Sequence, residues 1–253
     1  MYVRSPLSAR LWAWLPFVAS AALVALAIDL ALRSPLLGGL LGTLALLVFL
    51  PQLVSRRRVR RILVSGDINA VLEVWNRSLD QLPHRETLGP LLLATALAAH
   101  GLTDRARRVL ERAQRGDAWD AAIEHRLFVE ALLDAFEGQR VEALHKAESL
   151  EKLPLPAAGP FLRERMVLLR SALAAFTRAF ARNARPGDVE LLERAAKTSP
   201  LVHWAMRYAA AVAMVDGGRR GDARRMLDSA PPWPEESAFH FFHRELEAEL
   251  KLA

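Results

Sequence analysis

The chain has 253 residues, of which 52% are hydrophobic and none is cysteine. The lack of cysteine excludes disulfides, cysteine nucleophiles and thiolate metal sites. The formal net charge is +6. The first 61 residues hold eight arginines and one acid, Asp29, and carry +7, which leaves −1 for residues 62–253. A surface that binds nucleic acid needs its own basic stripe, so we expect no nucleic acid partner.

Two long apolar runs stand near the start of the chain. Residues 11–32 contain one charge, Asp29, and residues 36–54 contain none. Each run is long enough to cross about 30 Å of hydrocarbon, whereas a cleaved signal peptide would have a shorter apolar core. The sequence therefore predicts a transmembrane hairpin within residues 11–55, preceded by a short arm, residues 1–10.

Arginines indicate the orientation of this hairpin. A basic segment, residues 56–61, follows the second run, whereas the connecting loop holds only Arg33. The positive-inside bias predicts a multi-pass protein of the inner (plasma) membrane with both termini in the cytoplasm. Gly38 and Gly42 would allow close packing of the two spans, or of two copies of the chain. We expect anionic lipid head groups to contact the basic segment, through Arg56, Arg57, Arg58, Arg60 and Arg61.

The remaining residues, 62–253, show apolar positions at three- and four-residue spacing and no strand-like alternation. Glycine and proline separate short segments, which predicts a stack of antiparallel helix pairs. The expected fold class is all-α: a two-helix transmembrane hairpin followed by a helical-repeat domain. The last segment, residues 235–252, is expected to form a helix that caps the end of the stack, and binding of a partner by its apolar face is the alternative.

Small residues recur at fixed distances around three glycines. Spacings of 7, 5 and 7 residues connect Ala94, Gly101, Ala106 and Ala113, then Ala131, Gly138 and Ala143 without a fourth member, then Ala211, Gly218, Ala223 and Ala230. This pattern resembles the tetratricopeptide repeat, a helix–turn–helix unit of about 34 residues. The distance from Gly138 to Gly218 is twice one unit, so we expect a degenerate unit between them, at about 161–200. An unrelated helical bundle is the alternative.

The resemblance implies a binding surface, because ligands of this family usually lie on the concave face formed by the first helix of each pair. By resemblance, that face would hold Leu91, Thr95, His125, Phe128, Leu132, Phe136, Tyr208 and Val212. This apolar and aromatic set favours an apolar helix or extended segment of a protein partner. The alternative is a tight superhelix that buries the same residues as core.

The sequence contains no HExxH, no GxSxG, no phosphate-binding loop and no dinucleotide fingerprint, so we predict no enzyme, no cofactor and no metal. His240, His243 and Glu247 have helical spacing that would suit a metal, although a solvated polar face is the simpler interpretation. The loop Gly217–Gly221 holds two arginines that would suit an anion, or serves only as a turn.

These patterns predict a non-enzymatic scaffold or adaptor that binds a protein partner through its helical repeats at the cytoplasmic face of a membrane. One rival function is a structural or assembly subunit of an inner-membrane envelope complex, in which the hairpin makes the specific contacts. A second rival is a hydrolase that uses His240 and His243. The sequence does not identify the partner.

Overall fold

The structure is a computed structural model that describes residues 28–29, 43, 54–55, 57–79, 84–157 and 159–251, without the side chains of 74–79. The chain divides into two units, Met1–Arg58 and Val59–Ala253. The second unit is described over most of its length and contains helices, with no strand among those residues. The all-α class predicted for this part of the chain is therefore confirmed.

The predicted transmembrane hairpin is corrected by the structure. Among the described residues, no helix is both long enough and apolar enough to cross a membrane. The longest, Pro160–Phe180, has 21 residues but includes five charged side chains. The two-span fold and the inner-membrane localisation are contradicted by this finding. The spans predicted at 11–32 and 36–54, with Gly38 and Gly42, lie outside the described residues except for positions 28, 29, 43 and 54.

The helices of the second unit follow a helical segment at residues 59–64. They are α1 (Ile68–Leu79), α2 (Arg85–Ala99), α3 (Thr103–Ala113), α4 (Ile123–Phe136), α5 (Arg140–Lys152), α6 (Pro160–Phe180), α7 (Asp188–Thr198), α8 (His203–Asp216), α9 (Arg220–Leu227) and α10 (Ala238–Lys251). A 3₁₀ turn, Pro200–Val202, precedes α8. The helices α2 to α9 form four pairs, and each pair packs together across a short turn.

The first helix of every pair ends in the same turn. A residue in the left-handed region follows the helix: Gly101, Gly138, Arg182 and Gly218. The next N–H then donates to the carbonyl five residues earlier, at 2.7–2.9 Å, from Leu102 to Leu97, Gln139 to Asp134, Asn183 to Arg178 and Arg219 to Met214. This bond closes a Schellman motif. The third pair repeats the turn with an arginine, and for that reason the spacing of glycines does not reveal it.

The first helices of the four pairs, α2, α4, α6 and α8, close into a ring. Each packs on the next one, and α8 also contacts α2. Fully buried alanines such as Ala94, Ala131 and Ala175 occupy these helices and allow close approach. Side chains that point into the ring, including Leu132 and Tyr208, have no exposed surface. The interior of the ring is therefore a packed core.

The C-terminal segment covers one end of this ring. Trp233 lies against Tyr208 and Gly66, and α10 begins at Ala238, three residues later than expected. Phe239 stacks on Tyr208 with ring centroids 4.6 Å apart and meets Phe136 edge to face at 5.4 Å. The segment also returns to the turn of the first helix pair, where the Ala238 N–H donates to the Gly101 carbonyl oxygen, in addition to covering α8 and α9.

Candidate functional site

An open groove lies at the other end of the ring, near the N-terminal ends of α4 and α6 and the 3₁₀ turn that precedes α8. Its volume is about 380 Å³. The lining comes from the helical segment 59–64, from α2, α4, α5 and α6, and from the 3₁₀ turn. The residues are Leu63, Leu92, Thr95, Glu124, His125, Phe128, Leu150, Arg165, Met166, Leu169, Arg170, Ser199, Pro200, Leu201 and Val202.

The groove is mostly apolar because the inner faces of several helices remain only partly covered at this end. Leu92, Phe128, Met166 and Leu169 are all half-buried. Leu201 belongs to the 3₁₀ turn and closes the side toward α2. A concave surface lined by apolar groups with a few polar ones is the usual form of a ligand-binding pocket.

One ion pair fixes the geometry of the groove. Arg170 donates to the Glu124 carboxylate at 3.0 Å, and to the carbonyl oxygen of Leu153 at 2.6 Å. Arg170 is only 5% exposed, so this guanidinium ties α6 to α4 and to the end of α5. The pair is charge-assisted and partly buried, so removal of either partner would leave the other charge uncompensated. The carboxylate of Glu124 is thereby neutralised by a residue of the same chain.

A second cation at the groove has no such partner. Arg165 is exposed and makes no ion pair among the described residues. His125 lies on α4 and is also exposed. Since Glu124 is already paired with Arg170, the mouth of the groove has an excess of positive charge. This arrangement suits an occupant with a carboxylate beside apolar side chains.

Two hydroxyl groups line the groove and differ in their bonding. Thr95 Oγ1 donates to the Leu91 carbonyl oxygen at 2.8 Å and is therefore satisfied. Ser199 is 4% exposed, and its Oγ has no hydrogen-bond partner in the part of the chain that the structure describes. A buried polar group without a partner is uncommon, and a polar group of an occupant would satisfy this hydroxyl.

Exposed apolar side chains continue from the groove along the first half of α6. Phe161 is 79% exposed, Leu162 52% and Val167 45%. Arg165 and Met166 on the same helix line the groove, and Phe161 and Leu162 lie one turn earlier on the same helix face. Val167 instead lines a separate pocket with Leu153 and Leu155. An exposed apolar patch beside a concave pocket is typical of a surface that contacts another molecule.

The structure divides the eight residues that were predicted to line a concave face. Thr95, His125 and Phe128 line the groove. The other five are core residues of the closed ring: Leu91, Leu132, Phe136, Tyr208 and Val212. The reason is that α8 contacts α2, which leaves no open concave face along the C-terminal halves of the first helices.

The sequence analysis missed Arg165, Ser199 and the 3₁₀ turn. Arg165 stands among charged residues at the start of α6, where the pattern shows only a polar helix end. Ser199 precedes a proline, and this pattern predicts only a connecting loop between two helices. A pattern of local spacing does not show that residue 199 faces α2, which requires the closed ring.

The other predicted side chains have separate environments. His240 Nδ1 lies 3.3 Å from the Trp233 carbonyl oxygen. His243 contacts the Tyr208 hydroxyl through Nδ1 at 3.0 Å and lies 3.4 Å from Glu247. No group of three potential metal ligands occurs among the described residues. The two histidines therefore belong to the packing of α10.

The basic segment is described except for Arg56. The side chains of Arg57, Arg58, Arg60 and Arg61 are exposed. Arg60 donates to the carbonyl oxygen of Lys197 at 3.2 Å, which joins the helical segment 59–64 to the end of α7.

Comparisons with known proteins do not identify a relative. No protein-family model matches the chain. No curated protein and no solved structure matches it either. The function is therefore argued from the groove.

Proposed function

We propose that this chain is a non-enzymatic scaffold that binds a partner protein through the groove between α2, α4 and α6. The observation that supports this proposal most is the position of the exposed Phe161 and Leu162, one helical turn before the groove residues Arg165 and Met166. Removal of such apolar surface from water stabilises a complex by about 25 cal/mol per Å² before the costs of association. The resemblance to the tetratricopeptide repeat, whose members bind protein segments, favours the same function.

The chemistry of the groove limits what it would hold. A volume of about 380 Å³ is near the lower end of ligand pockets and suits a few side chains, not a folded domain. The lining favours apolar side chains, and Arg165 favours a carboxylate next to them. The proposed occupant is therefore a short apolar segment of a partner protein that carries an aspartate or a glutamate.

A charge reversal at Arg165 tests the proposal. Arg165→Glu changes the mouth of the groove, whereas Arg163→Glu makes the same charge change on the same exposed helix turn without touching the groove. Full-length wild type and both variants would be used to capture proteins from the host cells. A protein recovered with wild type and with Arg163→Glu, but lost with Arg165→Glu, is the expected result.

A charge exchange then separates direct contact from indirect effects. Reversal of the partner's acidic residue to arginine should restore its binding to Arg165→Glu, because opposite charges face each other again. Equal loss of the partner with Arg163→Glu and Arg165→Glu would count against the groove as the binding site. So would failure of every reversed acid in the bound segment to restore binding.

A further inference from the structure

A second pocket lies between α7, α8 and α9 and shares no residue with the groove. Its volume is about 460 Å³. The lining mixes charged and apolar side chains and consists of Glu193, Ala196, Lys197, His203, Arg207, Met214, Arg219, Asp222, Arg225 and Met226. Four of these side chains are cations and two are carboxylates, so the pocket has an excess of two positive charges even when His203 is neutral.

Arg207 is the inner cation of this pocket and makes no ion pair among the described residues. One terminal nitrogen donates to the carbonyl oxygen of Met226, and the guanidinium carbon lies 5.0 Å from the centroid of the Trp204 ring. The buried Nε–H has no hydrogen-bond partner in the described part of the chain. A buried donor on a cation that lacks a partner costs free energy, which a bound anion would recover.

The electrostatics of the pocket agree with this geometry. Burial lowers the pKa of Arg207, and the more distant Glu193 offsets only part of that effect. Burial also lowers the pKa of His203, and the positive charges of Arg207 and Arg60 lower it further. The hydrogen bond to the Ala196 carbonyl oxygen raises this pKa and offsets part of the effect. Both cationic forms are therefore disfavoured, chiefly by burial.

Two outer arginines share a single carboxylate. Arg219 Nε donates to Asp222 at 3.0 Å, and Arg225 donates to the other oxygen of Asp222. Arg219 also lies 3.9 Å from Glu190, which is largely exposed. Each arginine has five donors, so Asp222 and Glu190 together leave several N–H groups of this pair available at the pocket.

We propose that this pocket binds a phosphate group, with Arg207 donating from the inside and Arg219 and Arg225 from the rim. A phosphate carries close to two negative charges at neutral pH and has several acceptor oxygens, which matches the charge excess of the pocket. A carboxylate supplies only one charge. A nucleic acid backbone would need a continuous basic surface, whereas residues 62–253 carry −1 in total. The site is independent of the groove and of its proposed partner.

The test is a titration of the full-length chain with inorganic phosphate at constant ionic strength. Nitrogen–proton NMR would monitor the arginine Nε–H groups. We expect a saturable shift of the Arg207 Nε–H signal, and no comparable shift when sodium acetate replaces phosphate. A linear response without saturation, or an equal response to acetate, would overturn the proposal.

Matched variants link the response to the pocket. Arg225→Ala removes a rim cation that is 75% exposed and should weaken phosphate binding about threefold, as for a partly exposed charge. Arg220→Ala makes the same charge change on the same helix but does not line the pocket, and should leave the affinity unchanged. Equal affinities for these two variants would contradict the site.

A final titration with O-phosphoserine distinguishes the source of the phosphate. Tighter binding of the ester than of inorganic phosphate indicates a phosphorylated ligand. Weaker binding of the ester indicates free phosphate. Both results require that the pocket binds a phosphate group. If neither compound showed saturable binding, the phosphate site would be excluded.

Discussion

Ser237 Oγ donates a 2.8 Å hydrogen bond to the carbonyl oxygen of His100, 137 residues earlier in the chain. The neighbouring N–H of Ala238 donates to the carbonyl oxygen of Gly101, also at 2.8 Å. These two bonds satisfy the carbonyls of the turn that follows α2 with the C-terminal segment in place of water. They join the start of the ring to its end, so the two become one cooperative structure.

The contact explains why position 101 has glycine. A Cβ on Gly101 would lie 2.7 Å from Ser237 Oγ and 3.1 Å from the backbone nitrogen of Phe239, whereas a Cβ on Gly138 meets nothing within 4 Å. Both glycines have a positive φ, so alanine costs about 1 kcal/mol at either position. We expect Gly101→Ala to lower the free energy of unfolding by about 1–3 kcal/mol more than Gly138→Ala, because the C-terminal segment must move. Urea unfolding of both variants measures this difference, and equal values would contradict the close contact.

A buried ion pair holds the third helix pair together. Asp188 is 4% exposed and accepts hydrogen bonds from Arg178, at 2.6 and 2.9 Å, and from the backbone N–H of Arg185. Burial acts to raise the pKa of Asp188, but these donors outweigh burial, and its pKa lies below the ordinary value. We expect Asp188→Asn to lower the free energy of unfolding by about 2–3 kcal/mol, because the Arg178 charge loses its partner.

The matched control for that variant is Asp228→Asn, at an exposed position with no ion pair in the described part of the chain. Chemical denaturation should show little change for it, within about 0.5 kcal/mol. If Asp188→Asn and Asp228→Asn were equally stable, the pair with Arg178 would contribute nothing measurable.

Stability should decrease in mild acid because of buried histidines. Burial lowers the pKa of His100 below its ordinary value, although the hydrogen bond from Nδ1 to the Ala96 carbonyl acts in the opposite direction. Protons therefore bind more tightly to the unfolded chain than to the folded one. The contribution of His100 to the free energy of unfolding is complete above about pH 6.5 and is lost as the pH decreases below that value. His203 has a lowered pKa and acts in the same direction.

His100→Asn removes this titration and still offers an N–H group to the Ala96 carbonyl. Between pH 7.5 and 5.5 we expect a smaller loss of unfolding free energy than in wild type, by at most about 1.4 kcal/mol per pH unit for one proton. His145→Asn, at an exposed position on α5, serves as the control and should keep the wild-type pH dependence. Identical slopes for wild type and His100→Asn would refute the assignment.

The sequence predicted the local features of this fold better than the contact between α8 and α2 that closes the ring. Glycines at 101, 138 and 218 were expected to end helices, and all three have a positive φ at the predicted turn. A helix pair, α6 and α7, lies between Gly138 and Gly218, where the degenerate unit was expected. These features depend on residues close together in the chain, which spacing can reveal.

Long-range packing was beyond the sequence patterns. The contact of α8 with α2 buries Tyr208 and Val212, which resemblance had placed on an open face, and agrees with the alternative of a tight superhelix that buries them as core. The groove became visible only with the helix ends in place, because Arg165 and Ser199 are 34 residues apart and carry no shared motif. The transmembrane prediction relied on hydropathy alone and is contradicted by the helices that the structure describes.

Site-specific photo-crosslinking in host cells tests the central claim, occupation of the groove by a partner protein, most directly. A benzophenone amino acid would replace Phe128, which lines the groove, or Val141, which is 74% exposed on α5 and outside the groove. The account predicts that position 128 crosslinks to one partner protein, that position 141 does not, and that Arg165→Glu abolishes the crosslink. No crosslink from position 128, or the same products from both positions, would contradict it.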